Sequence, residues 1–149
     1  MIQLVYMSHE LYPMKVIDIA SILSQARQSN TQSEICGYLI YYHQSFFQVL
    51  EGEEEKVSHL FERIKKDPRH EEVTLLLKHI IQQKNFNNWS MGYFDENDIE
   101  NPKNIELKKL FTYYQDRLHQ HQNVDAETID TVNLITKKLH TGNWQNQTL

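Results

Sequence analysis

The chain has 149 residues, enough for one domain or for one domain with a helical appendage, and too few for a large multidomain enzyme. Its net charge of -5 is spread over both halves, so neither half offers the basic surface of a nucleic-acid-binding protein. No run of 18 apolar residues occurs, the amino terminus lacks a secretory pattern, and Cys36 is the only cysteine. We therefore expect a cytoplasmic protein that contacts neither nucleic acid nor membrane and has no internal disulfide or thiolate metal cluster.

The first half of the chain predicts a β-α-β-β succession. Alternating apolar positions in 2–8 predict a strand, and apolar residues at helical spacing predict a helix over 15–28. Two β-rich runs, 35–42 and 45–50, are separated by His43 and Gln44, which predicts a hairpin with unusual turn residues.

A second helix is predicted over 53–66, since Pro68 prevents it from continuing. Strands are predicted over 73–81 and 89–94. The glutamates at 51 and 53–55 most simply favour the amino end of this helix. The order βαββαββ predicts an α+β sandwich of the ferredoxin-like kind, a sheet with two helices on one face.

The character of the sequence changes after Asp95. Two amphipathic stripes, within 107–118 and 129–139, predict two helices that cover the other face of the sheet. Asp125 is placed to cap the second of them. We expect the domain proper to span 1–96, a helical extension for signal output or self-association to span 97–149, and the last residues, 142–149, to fray.

Gln48 places an amide on an apolar strand face between Phe46 and Leu50. A buried amide is costly unless its donors and acceptor are paired, and Tyr6 on a neighbouring strand can donate its hydroxyl to it. The alternatives are a glutamine that reaches the sheet edge and a core tyrosine bonded to backbone.

Other candidate residues each have a structural alternative. Asn30 follows the first predicted helix, where it suits a carboxyl-terminal cap. The basic cluster at 63–70 suits a solvated helix end, although arginine also suits phosphate. Trp89 and Met91 alternate with Ser90 and Gly92 along the fifth predicted strand, so the two should share one face, as a pair of core residues would. His119 and His121 have the wrong spacing for a metal site on one helical face.

Taken in order, these landmarks resemble those of a BLUF domain, a flavin-based sensor of blue light, over about residues 2–94. The matching stretches are Leu4-Val5-Tyr6-Met7-Ser8, Arg27-x-x-Asn30, Cys36-Gly37-Tyr38-Leu39-Ile40-Tyr41, Phe46-Phe47-Gln48-Val49-Leu50-Glu51-Gly52, Asp67-Pro68-Arg69-His70, and Phe86-x-x-Trp89-Ser90-Met91-Gly92. Any one tetrapeptide would be weak evidence, but the ordered set is strong.

The resemblance implies noncovalent binding of FAD and a photochemical role for two residues. Tyr6 would give an electron and then a proton to the excited flavin, after which Gln48 would rearrange by rotation or tautomerisation. The flavin would be held by Tyr6, Asn30, Gln48, Arg63, Ile64, Asp67, Arg69 and His70. Ser29 departs from the bulkier His or Asn of many relatives.

The resemblance further implies that Trp89 or Met91 transmits the signal, with output through the fifth strand or the terminal helices to a regulatory protein or a second copy. The leading hypothesis is thus a photosensor that is not an enzyme. A light-independent flavin redox enzyme and a cofactor-free ferredoxin-like interaction module are the alternatives.

Overall fold

A computed structural model of the protein describes residues 1–87, 89–120 and 123–141. One five-stranded sheet runs through it in the order β4-β1-β3-β2-β5. The strands are β1 (Ile2–Glu10), β2 (Cys36–Tyr42), β3 (Ser45–Gly52), β4 (His70–Ile80) and β5 (Gly92–Phe94). The helices are α1 (Val16–Ser33), α2 (Glu54–Lys65), α3 (Glu96–Glu100), α4 (Ile105–Gln120) and α5 (Ala126–Thr141), with a 3-10 turn at Pro102–Asn104.

The predicted βαββαββ order and the α+β class are confirmed. The strand β1 lies between β3 and β4 and is antiparallel to both, while β5 joins the edge of the sheet parallel to β2. The predicted hairpin is also confirmed, and its two turn residues, His43 and Gln44, have positive φ angles of 49° and 63°. Two such residues in succession turn the chain with the twist that paired strands require.

The alternation of side chains along the strands divides the interior into two cores. On one face, Leu4, Tyr6 and Leu50 pack with residues of α1 and α2. On the other face, Val5, Val49 and their neighbours pack against α4 and α5. The prediction that two terminal helices cover the second face is therefore confirmed, and both faces of the central strands are buried.

Two predictions about α1 were wrong. The helix continues to Ser33 rather than ending near residue 28, and the residue that caps it, Glu34, adopts a left-handed conformation with a φ of 57°. Asn30 is consequently an internal helical residue that is only 1% exposed. Its side chain does not cap the helix but contacts a segment remote in sequence, and this contact lies within the candidate site.

The fifth strand is also shorter than predicted. It begins at Gly92 rather than at residue 89, because strand pairing with β2 starts only at the Tyr38–Gly92 pair. A Cβ atom on Gly92 would lie 2.5 Å from the Tyr38 ring, so this close approach requires glycine. Residues 81–87 and 89–91, which we call the connecting segment, lie between β4 and β5 and do not form a regular strand.

The carboxyl-terminal helices have recognisable caps. The carboxylate of Asp125 accepts from the Thr128 backbone N–H at 2.9 Å, which confirms its predicted role. The unpredicted helix α3 begins with a reciprocal pair, in which Asp95 and Asp98 each accept the other's backbone N–H. Residues 142–149, predicted to fray, lie outside the described residues. None of the described helices is long and apolar enough to cross a membrane.

We expect Phe111→Ala to lower the free energy of unfolding by about 3–5 kcal/mol, because this ring is buried among aromatic partners. Its centroid lies 5.1 Å from that of Phe47 and 5.3 Å from that of Tyr114. Urea denaturation measures the loss, and Thr112→Ala at the exposed neighbouring position is the control. Equal and small effects of both substitutions would contradict docking of α4 on the sheet.

Candidate functional site

A cavity of about 280 Å³ lies between the sheet and the helices α1 and α2. Its lining combines apolar side chains from both helices and the sheet with a set of polar side chains. The apolar lining comprises Ile22, Ala26, Leu39, Phe46, Leu60, Ile64 and Pro68. The polar lining comprises Tyr6, Gln25, Ser29, Asn30, Gln48, Arg63, Lys66, Asp67, Arg69 and His70. All eight residues predicted to bind the cofactor thus line one cavity.

Tyr6 and Gln48 form a directly paired position between β1 and β3 at the sheet side of the cavity. The Tyr6 hydroxyl donates a hydrogen bond to Oε1 of Gln48, and the two residues are only 4% and 6% exposed. Burial, and to a lesser degree the nearby Asp67 carboxylate, raises the pKa of Tyr6. The phenol therefore keeps its proton at neutral pH and acts as the donor in this pair.

The other end of the Gln48 amide faces Met91. Its Nε2 atom lies 3.4 Å from the thioether sulfur, to which it donates a weak hydrogen bond. The amide is thus oriented from both sides, because the Tyr6 hydroxyl donates to its oxygen and the sulfur of Met91 can only accept.

Helix α1 holds the end of the connecting segment against the cavity. Asn30 Nδ2 donates to the backbone carbonyl of Ser90 at 2.8 Å, and Arg27 Nε donates to that of Met91 at 3.0 Å. The spacing of three residues places both donors on one side of the helix. Arg27 belongs to the matched stretch Arg27-x-x-Asn30, but the sequence did not predict its contact with the Met91 backbone.

Beyond the end of α2, Asp67 and Arg69 form a tight ion pair beside the cavity. Arg69 Nη2 lies 2.5 Å from Asp67 Oδ2, and Nε donates to Oδ1 at 2.9 Å. The hydrogen bonds from Arg69 hold the pKa of the Asp67 carboxyl below its usual range, although burial opposes them. His70 lies next to this pair, with its ring nitrogens 2.8 Å from Ser8 Oγ and 2.5 Å from the Ile64 carbonyl oxygen.

The prediction that Trp89 and Met91 share one face was wrong. Met91 is 1% exposed and belongs to the core on the cavity side of the sheet. Trp89 packs on the opposite side, against the core that contains α4 and α5, with its ring centroid 5.9 Å from that of Tyr38. The two residues precede β5, so the period-two alternation of a strand does not apply to them.

The assignment of Glu51 to the start of α2 was also wrong. This residue lies within β3, is completely buried and accepts hydrogen bonds from the connecting segment, whereas α2 begins at Glu54. Pattern analysis also missed Ile22, Gln25, Ala26 and Leu60 as lining residues. The apolar ones among them follow helical spacing, and that signal is the same for a core residue and for a cavity wall.

The cavity suits the flavin that the resemblance implies. Apolar walls from two helices can enclose a planar ring, and Tyr6, Gln48 and Asn30 supply hydrogen-bonding groups for its polar edge. Arg63 and Arg69 can bind phosphate through charge-assisted hydrogen bonds. Among the described residues, no group of three His, Cys, Asp or Glu side chains could hold a metal ion, and His121 lies outside them.

Residues 1–92 match the profile of the family described as "BLUF: Sensors of blue-light using FAD". The chain therefore belongs to the BLUF family of flavin-binding blue-light sensors, and its fold is the ferredoxin-like BLUF fold.

Curated relatives share the sensor region with this chain. The blue light- and temperature-regulated antirepressor BluF of Escherichia coli is 36% identical over 92 residues, which cover 62% of this chain and 23% of that protein. The photoactivated adenylate cyclase subunit beta of Euglena gracilis is 36% identical over 81 residues, covering 54% and 9%. The chain thus spans less than a quarter of the length of these two relatives.

Solved structures extend the similarity into the terminal helices. The photo-activated state of BlsA has a TM-score of 0.77 at 27% identity, with 99% of each chain covered. A bacterial light-regulated adenylyl cyclase has a TM-score of 0.76 at 30% identity, covering 89% of this chain and 39% of that one.

Because of the Asp67–Arg69 pair, the free energy of unfolding should decrease at acidic pH. Because the pKa of Asp67 is lower in the folded state, its contribution is fully present above the unfolded value of about 3.9 and is lost as pH falls through the folded value. We expect Asp67→Asn to reduce the free energy of unfolding by roughly 0.2–1 kcal/mol at pH 7, the range for partly screened ion pairs.

Urea denaturation of the wild type and Asp67→Asn at pH 7 and below pH 4 measures this dependence. The difference between the two proteins should shrink in acid, while Asp116→Asn at an exposed position on α4 should show little difference at either pH. A difference at position 67 that is independent of pH would contradict the assigned contribution of the ion pair.

Proposed function

We propose that this protein is a blue-light receptor that binds FAD noncovalently in the cavity between α1 and α2 and signals by rearranging hydrogen bonds around Gln48. The observation that carries the proposal is the buried chain of contacts from Tyr6 through Gln48 to Met91. Family membership supports the cofactor and the response to light.

A flavin bound here would supply, on absorbing blue light, an acceptor for one electron and one proton. Tyr6 would donate both and take both back by the time the signalling state forms, so no net oxidation would occur. Burial keeps the phenol protonated until it is oxidised. The proton leaves through Gln48 Oε1, which already accepts the hydroxyl hydrogen.

A rearrangement of Gln48 would directly change its hydrogen bond to the Met91 sulfur. If the amide rotates, its oxygen faces the sulfur, which has no hydrogen to donate, and the present contact is lost. If it tautomerises, the donor that faces the sulfur changes instead. Either event alters the interaction that holds Met91, and with it the connecting segment, on the cavity side of the sheet.

We propose that the terminal helices carry this change to a partner, with residues 1–96 acting as the sensor and residues 97–149 as the output extension. Trp89 lies in the same core as α4 and α5, two residues from Met91, which supports a route through the connecting segment. The partner is a regulatory protein or a second copy. The coupling between light and partner binding would be of the typical size for allostery, about 1–3 kcal/mol.

We further propose that the chain acts in the cytoplasm and has no catalytic activity of its own. The cavity offers Asp67 and His70, but the first is paired with Arg69 and the second with Ser8 and a backbone carbonyl. Neither arrangement favours acid-base chemistry on a second substrate. The structure therefore supports a light-independent flavin enzyme less well than it supports a photoreceptor. Visible spectra in darkness and under blue light distinguish the two, since an enzyme of that kind would need no reversible red shift.

Tyr6→Phe and Gln48→Leu should each retain the flavin and abolish its reversible red shift, because one removes the electron and proton donor and the other removes the switching amide. Difference spectra during blue illumination and recovery provide the measurement. Tyr41→Phe is the control, since that hydroxyl bonds to Glu10 away from the cavity lining. A normal photocycle in either test variant would refute the assigned role.

Met91→Leu should preserve the red shift and weaken its transmission, because leucine keeps the apolar volume but removes the sulfur that accepts from Gln48. The light-minus-dark change in amide hydrogen exchange over 105–120 and 126–141 should fall several-fold relative to wild type. Met7→Leu, in the core on the other face, is the matched control. Equal exchange responses in both variants would remove Met91 from the route.

A further inference from the structure

Four polar or polarisable side chains lie in a row across four adjacent strands, on the sheet face that α4 and α5 cover. The residues are direct cross-strand neighbours, His79 with Gln3, Gln3 with Glu51, and Glu51 with Cys36. His79 Nε2 lies 2.9 Å from Gln3 Oε1, and Gln3 Nε2 donates to Glu51 Oε2 at 2.8 Å. Gln3, Glu51 and Cys36 are buried, whereas His79 is exposed on the edge strand β4. Buried polar groups are costly unless they satisfy one another.

Glu51 is the centre of this row and is completely buried. Its oxygens also accept from the backbone N–H groups of Asn85 and Phe86, at 2.7 and 2.9 Å, and from Asn85 Nδ2 at 2.9 Å. The Cys36 thiol, whose pKa is raised to about 12 chiefly by burial, remains a donor 3.7 Å away. Every one of these partners donates, so a side chain with two acceptor oxygens and no donor fits the site uniquely well.

The segment that Glu51 holds is the one that leads to Met91. Next along the chain, the Trp89 carbonyl accepts from the Gly37 backbone N–H at 3.1 Å. On its outer side, the Asn85 carbonyl lies 2.9 Å from Nδ1 of His140, and the rings of Phe86 and His140 pack edge to face at 6.1 Å. The same few residues therefore contact both the buried carboxylate and the last turn of α5.

We propose that Glu51 is a positioning residue that fixes the connecting segment between the flavin cavity and α5, so that a change at Met91 reaches α5 through Asn85, Phe86 and His140. The positioning stands on the contacts seen in the structure, and the transmission rests on the proposed function. Glu51 is not among the residues that line the cavity, so its effect on signalling would be exerted through the segment.

The test compares Glu51→Gln with Glu71→Gln, which removes the same charge at an exposed position on β4. A glutamine at 51 keeps the size but replaces one acceptor oxygen with an NH2 group, while the backbone N–H groups of Asn85 and Phe86 can only donate. We expect hydrogen exchange over 85–91 in darkness to be roughly tenfold faster in Glu51→Gln than in wild type or in Glu71→Gln. The flavin red shift should persist, while the light-induced exchange response over 126–141 is lost.

Unchanged exchange over 85–91 in darkness would overturn the positioning role, and a retained response over 126–141 despite a loosened segment would overturn the link to α5. If the wild type itself shows no red shift, the proposed photoreceptor function fails, yet the comparison in darkness still decides the role of Glu51.

His140→Phe provides a second test should Glu51→Gln fail to fold. It keeps an aromatic ring against Phe86 but removes the contact with the Asn85 carbonyl. Protection of 85–91 in darkness should remain, and the response over 126–141 should fall several-fold. A full response in this variant would overturn the link.

Discussion

A primary amide buried in the middle of a sheet constrains the rest of this structure. Gln48 must satisfy an acceptor and a donor away from bulk water, and it does so with the Tyr6 hydroxyl on one side and the Met91 sulfur on the other. Because one partner donates and the other can only accept, the amide has one favoured orientation. Any rearrangement of that amide changes both contacts at once, and this makes it suitable as a switch.

Both faces of the central strands are buried, which gives a change on one face a physical means of reaching the other. The connecting segment crosses between the two cores, with Met91 in one and Trp89 in the other. Contacts from Asn30, Arg27 and Glu51 hold its backbone at several points. The segment thus combines irregular geometry with hydrogen bonds from two different elements, α1 and β3.

Prediction from sequence succeeded where the chain is periodic. Tyr6 and Gln48 lie within regular strands, so alternation assigned each to its correct face. It failed at Trp89 and Met91, because pairing with β2 begins only at Gly92. It failed at Glu51 because the three glutamates at 53–55 suggested a shared role at the start of a helix. In the structure Glu51 lies in β3, and strand alternation directs its side chain into a buried core.

The sequence by itself determined the family, the order of the elements, the two amphipathic faces and about half of the residues that line the cavity, because these depend on local periodicity and on an ordered set of side chains. Only the tertiary structure decided the length of α1, the opposite placement of Met91 and Trp89, and the burial of Glu51 among donors from distant strands. Those outcomes depend on hydrogen bonds between residues more than thirty positions apart in most cases, such as Asn30 with Ser90 and Glu51 with Asn85. No local pattern encodes such a bond, since its free energy depends on which buried polar groups the completed fold brings together.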